Sequence, residues 1–330
     1  MRRQDGGAPG RRRLDEADHV RAVLRRRQAD RHRPERRLRP LRRFVEDAAL
    51  AGRTTRATRA RNGRRRAHDR RDTARESLPV DRIAVVTGAS RGIGESIARA
   101  LAAEGWQLVL LARSEDRLRG LAAELGAEYE LCDVGKREDV ERVAAAVLER
   151  HPRIELLVNN AGIPGRSGFA TIDLELLEEV LRVNYLGGVW MLRALLPGLE
   201  AAGHSDVVNI VSVAGTVAYA PAGPYSASKH AQLAFSRATA GELRNRGIHV
   251  HTVNPGFVET EGFPQATKLR SSLLRRLVIE PDDVAGHVVK VIARDKNETF
   301  VPWFYRTAAI VQALAPGLVA RLAGRSGYRL

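Results

Sequence analysis

The stretch Ile83-Ala84-Val85-Val86-Thr87-Gly88-Ala89-Ser90-Arg91-Gly92-Ile93-Gly94 decides the fold. A short β-branched run passes through a glycine-rich turn directly into a segment from Gly92 to Glu104 that reads as an amphipathic helix. A strand that enters a helix in this way leaves the free N–H groups of the helix N-terminus pointing outward, where they can receive a pyrophosphate. Glycine belongs in that turn because a Cβ would hold the phosphate away from the main chain. Taken alone, the turn is equally an ordinary tight strand-to-helix connection.

Downstream the alternation repeats. Gln107 to Ala112 is a second strand, Ser114 caps a helix to about Leu125, and Glu128 to Cys132 is a third strand. A helix over 136–150 leads to the strand Ile154 to Val158, and helical segments then cover about 173–202, interrupted near Gly187-Gly188. A strand at Val207 to Val211 precedes a long helix from Tyr225 to Asn245 and a strand from Ile248 to Val253. A helix over 281–294 and a last strand near Thr299 to Val301 complete the pattern. Strands alternating with helices predict an α/β fold, a doubly wound parallel sheet with helices on both faces.

The 330 residues include 55 Lys or Arg and 39 Asp or Glu, a formal +16 with a pI near 11.0. The excess is local: residues 1–80 hold 26 Arg, no Lys and 11 acids, whereas residues 81–330 hold 29 bases and 28 acids. With Phe44 as its only aromatic, the leader cannot bury enough apolar surface to offset its ordering entropy, so residues 1–80 are expected to be disordered. An electrostatic arm for nucleic acid or anionic lipid is one reading of it. The other is a leader without function, or a mis-assigned start in Arg-rich, GC-rich coding sequence, with Val80 in the place of a GTG start. The expected division is therefore 1–80, a domain over 81–302, and an apolar extension over 303–330. A single Cys, Cys132, excludes a disulfide framework. No run of about 18 apolar residues and no apolar h-region behind Met1-Arg2-Arg3 appear, so neither a membrane span nor a signal peptide is expected, and the expected location is cytoplasmic.

Further motifs fall at the ends of the strands. Asp133 and Val134 follow the third strand, Asn159-Asn160-Ala161-Gly162 follows the fourth, and Asn184 stands in the next helical segment. Ser212 ends the fifth strand, Tyr225 lies 13 residues on, and Lys229 four beyond that. Pro255-Gly256 follows the sixth strand, with Thr260 four residues after the glycine. In kind and order this set resembles the short-chain dehydrogenase/reductase family, whose loop is T-G-x-x-x-G-x-G and whose catalytic residues are a Ser and a Tyr-x-x-x-Lys. The resemblance spans about residues 81–302 and implies a single Rossmann domain, a nicotinamide cofactor, no metal, and a homodimer or homotetramer. It implies that Gly88, Ser90, Arg91, Gly92, Ile93, Gly94, Asn160, Ala161, Gly162, Pro255, Gly256 and Thr260 surround the cofactor and that Asp133 binds its adenine. It further implies that Lys229 binds the nicotinamide ribose and that Asn184 holds a water in a proton relay.

The residues are chemically coherent on their own terms. Tyr225 and Lys229 are four apart on a helix and share a face, and an ammonium beside a phenol favours the phenolate, as a general acid/base near neutral pH requires. Ser212 at a strand end can hold a substrate oxygen. Singly, the Tyr and Lys would pass for an amphipathic surface pair and the Ser for a strand-end cap. The second strand ends in Leu111-Ala112-Arg113, where a carboxylate would select NAD; with Ala112 in that place, Arg113 and Arg91 can clamp a 2′-phosphate, and the expected cofactor is NADP(H).

Other features carry less. His249 and His251 alternate on a strand and read as strand residues rather than half a metal site. The segment from Glu261 to Leu277 offers Phe263 and Leu273-Leu274 as apolar candidates near the substrate. The extension holds Trp303-Phe304-Tyr305 and a helical apolar face through Ile310, Val311, Leu314, Leu318, Val319 and Leu322, broken at Pro316-Gly317. It fits a substrate mouth, a second subunit or a membrane. The expected activity is NADP(H)-dependent interconversion of a lipophilic carbonyl and alcohol. A 3-oxoacyl thioester reductase is the rival enzyme, and an NADPH-binding regulatory or nucleic-acid-associated protein the rival from another class.

Overall fold

The computed structural model describes residues 82–165, 171–218, 222–261 and 277–325. The readings made of residues 1–80, of Phe263 and Leu273-Leu274, and of the Leu318 and Leu322 side chains lie outside the described residues.

Seven parallel strands form one sheet: β1 (Ile83–Thr87), β2 (Gln107–Ala112), β3 (Glu128–Leu131), β4 (Leu156–Asn159), β5 (Ser205–Ile210), β6 (Ile248–Pro255) and β7 (Glu298–Val301), in the order β3-β2-β1-β4-β5-β6-β7. The order reverses beside β1, where Val86 pairs with Val158 of β4, and such a reversal opens a crevice at the C-terminal edge of the sheet. All five residues of β1 are buried, as expected for a strand covered on both faces. Successive side chains serve opposite layers. Ala84, Val86, Leu108 and Leu110 pack against α1 (Gly92–Ala103), α2 (Glu115–Leu125) and α7 (Pro281–Ala293) through Ile97, Leu101, Leu118, Val284 and Val288. Val85, Val109, Leu157 and Val207 pack against α3 (Arg137–Arg150) and α5 (Gly187–Ala201) through Val140, Val147, Met191 and Leu195.

Two local outcomes differ from the sequence reading. The helical run from α4 (Leu174–Leu181) to α5 is interrupted one turn before Gly187-Gly188, by a π-turn over Arg182–Leu186 in which the Gly187 N–H donates to the Arg182 carbonyl. Its cause is tertiary, because Asn184 in the middle of the turn is held by bonds to another segment, described below. In the extension, α8 (Tyr305–Leu314) and α9 (Pro316–Arg325) are separated at Ala315, with φ −140° and ψ 60°, one residue earlier than the Pro-Gly pair. The ring of Pro316 excludes its predecessor from the helical region. The long helix α6 (Gly223–Leu243) begins two residues before Tyr225, with Pro224 in its first turn, where a missing N–H costs nothing.

Candidate active site

The crevice at the C-terminal edge is a cleft of about 270 Å³. Thr87 stitches its floor: the Thr87 hydroxyl donates to the Val158 carbonyl (3.2 Å) and accepts from the N–H groups of Asn160 (3.0 Å) and Ala161 (3.1 Å). The Asn160 side-chain amide donates back to the carbonyls of Thr87 (3.0 Å) and Gly88 (3.2 Å), so β1 and β4 are locked together where the strand order reverses. Gly88 and Gly92 take φ of +67° and +58°, a conformation that a side chain would strain. A Cβ on Gly94 would strike the Gly88 carbonyl. The loop is thus a cradle of bare backbone at a helix N-terminus, which fits the phosphates of a dinucleotide.

Of the residues expected to act in catalysis or to hold the cofactor, all but one line this cleft. The lining includes Gly88, Ser90, Arg91, Gly92, Ile93 and Gly94 from the loop, Arg113, Asp133 and Val134 from the ends of the second and third strands, and Asn160, Ala161 and Gly162 from the end of the fourth. Ser212, Tyr225 and Lys229 line the same cleft, as do Pro255, Gly256 and Thr260, the last lying against Gly92. Ser212 caps a 3₁₀ turn over Val213–Gly215, its Oγ accepting from the Ala214 N–H at 3.1 Å.

Lys229 is 3 % exposed, and its Nζ stands 5.9 Å from the Tyr225 ring centroid. It donates to the Ile210 carbonyl (3.0 Å) and to Gln232 Oε1 (2.8 Å). Ile210 ends β5 two residues before Ser212, which lies beyond the strand rather than at its end, so this bond ties the segment of Ser212 to the helix that carries Tyr225. Burial pushes the ammonium down from 10.5 to about 7.

Asn184 is the exception. It is buried behind the cleft, where its Oδ1 accepts from the Ile163 N–H (2.7 Å) and its Nδ2 donates to the Ile163 carbonyl (3.0 Å) and Ser228 Oγ (3.1 Å). Ser228 Oγ in turn donates to the Tyr225 carbonyl at 2.8 Å, which couples the π-turn to the first turn of α6.

Three residues in or beside the site escaped the sequence reading. Gln232 follows Lys229 by three positions on one buried face, a polar residue whose spacing offered a signal. Tyr305, from the extension that the sequence offered as a substrate mouth, does line the cleft; it stacks edge-on to Phe257 at 6.3 Å and donates from its hydroxyl to the Leu277 carbonyl. Its ring lies so close over Gly256 that a Cβ there would collide with it. Arg117 and Glu261 are 144 residues apart yet pair at 2.6 and 3.1 Å, with Arg91 at 3.8 Å from the same carboxylate. That pairing holds the Glu261 carboxyl below its usual range. Arg113, by contrast, is exposed and forms no ion pair among the described residues.

Two other readings meet the structure. Cys132 also lines the cleft, but burial, with Asp139 as a second cause, pushes its thiol up to about 12, so it stays protonated and is a poor nucleophile. His249 and His251 do have acids beside them in space, Asp295 at 3.0 Å and Asp206 at 2.7 Å, which come from other elements and were invisible in the local sequence. Each histidine has its own carboxylate, and no group of three metal-ligating side chains occurs among the described residues.

The short chain dehydrogenase family matches residues 82–270. The chain belongs to this family. Among relatives of this short-chain dehydrogenase, a putative ketoacyl reductase of Streptomyces coelicolor is 40% identical over 195 residues, 57% of this chain and 74% of the relative. An alcohol dehydrogenase from the archaeon Thermococcus sibiricus, solved with 5-hydroxy-NADP, is 34% identical with a TM-score of 0.60, covering 66% of this chain and 95% of the other. A short chain dehydrogenase/reductase of Burkholderia phymatum, solved with NAD, is 26% identical with a TM-score of 0.65, covering 74% and 97%. Short-chain dehydrogenases of this fold thus include both NADP-type and NAD complexes.

Proposed function

We propose that this short-chain dehydrogenase is an NADP(H)-dependent oxidoreductase that interconverts a lipophilic carbonyl and its alcohol. The observation that carries the reading is the convergence of Ser212, Tyr225 and Lys229 in the cleft that the glycine loop opens. The residues present fit a dinucleotide. The loop from Gly88 to Gly94 would take the pyrophosphate, Asp133 and Val134 the adenine, and Lys229 the nicotinamide ribose. Pro255, Gly256 and Thr260 would flank the nicotinamide side. Arg113, with Arg91 across the loop, would take the 2′-phosphate, since Ala112 leaves no carboxylate to repel it. Bound there, the cofactor supplies or accepts the hydride.

The chain's own residues handle the oxygen and its proton. Ser212 Oγ donates a hydrogen bond to the substrate oxygen and orients it. The Tyr225 phenol gives that oxygen a proton in reduction and, as phenolate, takes one in oxidation. The Lys229 ammonium favours the phenolate. Asn184 holds the segment Gly162-Ile163 and the first turn of α6 in mutual register, so it positions Tyr225, and by family resemblance it serves proton relay from Lys229. Ile163, Pro164, Phe257 and Tyr305 line the substrate side, an apolar surface that favours a lipophilic substrate.

The relative named as a putative ketoacyl reductase favours a narrower second reading, a 3-oxoacyl thioester as substrate. Turnover of NADPH and NADH with a panel of ketones, aldehydes and 3-oxoacyl thioesters tests both. NADPH turnover with apolar ketones supports the first reading. Thioester-only turnover selects the second, and no turnover with any carbonyl overturns both.

A further inference from the structure

Helix α8 leaves an apolar face uncovered. On its inward side Gln312 places a buried Oε1 with no hydrogen-bond partner among the described residues. On its outward side Ile310 is 48 % exposed, Val311 44 % and Leu314 81 %, and Trp303, just before the helix, is 78 % exposed. A single exposed leucine calls for no explanation, but large apolar side chains gathered at helical spacing on one short element form a patch that waits for a partner.

The charge of the extension points to the partner. Residues 303–330 contain four Arg and no acid, whereas residues 81–302 contain 25 bases and 28 acids. Arg306 and Arg321 are exposed, and neither forms an ion pair among the described residues, unlike Arg99, Arg137, Arg142, Arg150, Arg237 and Arg244 on the body. A second copy seated by symmetry on this face would set acid-free, cationic segments against each other. An anionic surface with an apolar layer beneath satisfies both features. At ten residues α8 is far shorter than the roughly 20 needed to cross a bilayer, so it lies along a surface rather than through it.

We propose that the extension seats this protein on an anionic lipid bilayer, with Trp303, Ile310, Val311 and Leu314 in the acyl boundary and Arg306 and Arg321 against lipid phosphates. Because α8 starts at Tyr305, which lines the cleft, seating brings the cleft mouth to the bilayer. On the reading given under Proposed function, a substrate dissolved in lipid then has a short path to Tyr225.

The test uses the full chain and vesicles of phosphatidylcholine, alone or with phosphatidylglycerol, with brominated acyl chains. Residues 1–80 carry their own positive excess, so vesicle binding by itself decides nothing; contact between Trp303 and the brominated chains does. The expected result is quenching of about half or more of the Trp303 emission by anionic vesicles, absent in Trp303→Phe and in the double variant Ile310→Glu, Leu314→Glu. That double variant keeps full turnover of a water-soluble carbonyl, because neither residue touches the cleft. Protein that pellets with anionic vesicles while Trp303 stays unquenched overturns the proposal. So does a blue shift of Trp303 that grows with protein concentration without lipid, which would assign the face to a second copy. Equal quenching by phosphatidylcholine alone would remove the role given to the arginines. Loss of turnover in the carbonyl panel with quenching intact would overturn the redox reading and leave the seating standing.

Discussion

Lys229→Met is the most informative single change, because the lysine is buried and its hydrogen-bond acceptors among the described residues are two neutral oxygens, Ile210 O and Gln232 Oε1. Its folded-state value falls from 10.5 to about 7, so between these two values the unfolded chain binds more protons than the folded one. Stability therefore rises with pH across that window. At about 1.4 kcal/mol per pK unit, the buried charge costs about 5 kcal/mol well below pH 7, about 4 at pH 7 and about 2 at pH 9. Methionine keeps the unbranched length and removes the charge. The two hydrogen bonds lost lower the variant by an amount that does not change with pH, and it cancels when the two pH profiles are compared. Relative to wild type, the variant is expected to lose about 2 kcal/mol of its advantage between pH 7 and pH 9. Urea unfolding followed by far-UV circular dichroism, with no nucleotide present, measures this difference. Two profiles that run parallel across the range would refute the argument, since they would mean that the ammonium pays no burial penalty.

Other outcomes follow from the same geometry. Tyr225→Phe is expected to abolish turnover while NADPH affinity, measured by fluorescence titration, stays within a few-fold, since only the proton donor is lost; a variant that keeps most of its kcat removes Tyr225 from its role. Ala112→Asp is expected to shift the kcat/KM ratio toward NADH, and Arg113→Ala to weaken NADPH roughly ten-fold or more through a lost charge-assisted bond; unchanged NADPH affinity in both would mean that the 2′-phosphate binds elsewhere. Gly256→Ala drives a methyl into the Tyr305 ring and is expected to destabilise by about 1–3 kcal/mol, as overpacking does. Tyr305→Ala in the same chain should restore most of that loss in thermal melts, and no restoration would mean that the ring is not what the methyl meets.

What could be seen in the sequence was what is local or carried by spacing. The strand, turn and helix around Gly88 are contiguous in the chain, and the alternation that follows allows few topologies, so the parallel sheet was readable before any coordinate. Tyr225 and Lys229 were readable because a helix brings fourth neighbours together. Contacts set by the closing of the fold were not readable. Nothing near Gly256 announces that Tyr305 will lie over it, and nothing near Arg117 announces Glu261. The acids beside His249 and His251 were missed for the same reason: Asp206 and Asp295 reach them from a neighbouring strand and from the turn before β7. The interruption was expected near Gly187-Gly188 and falls directly before them, but its form as a π-turn was not readable, because that turn answers to Ile163, about twenty residues away.

That π-turn also fixes the length of the segment. A residue in a regular helix turns its side chain by about 100° from the last, so the extra residue between α4 and α5 works as a fixed angular offset. It lets Val180 before it and Met191 and Leu195 after it all point into the protein while Asn184 faces Ile163. Shortening the turn by one residue would force a choice between the apolar faces and the asparagine. A scan over 182–186 should show it: substitution of the exposed Arg182 keeps the protein folded, whereas every single-residue deletion either unfolds it or silences it.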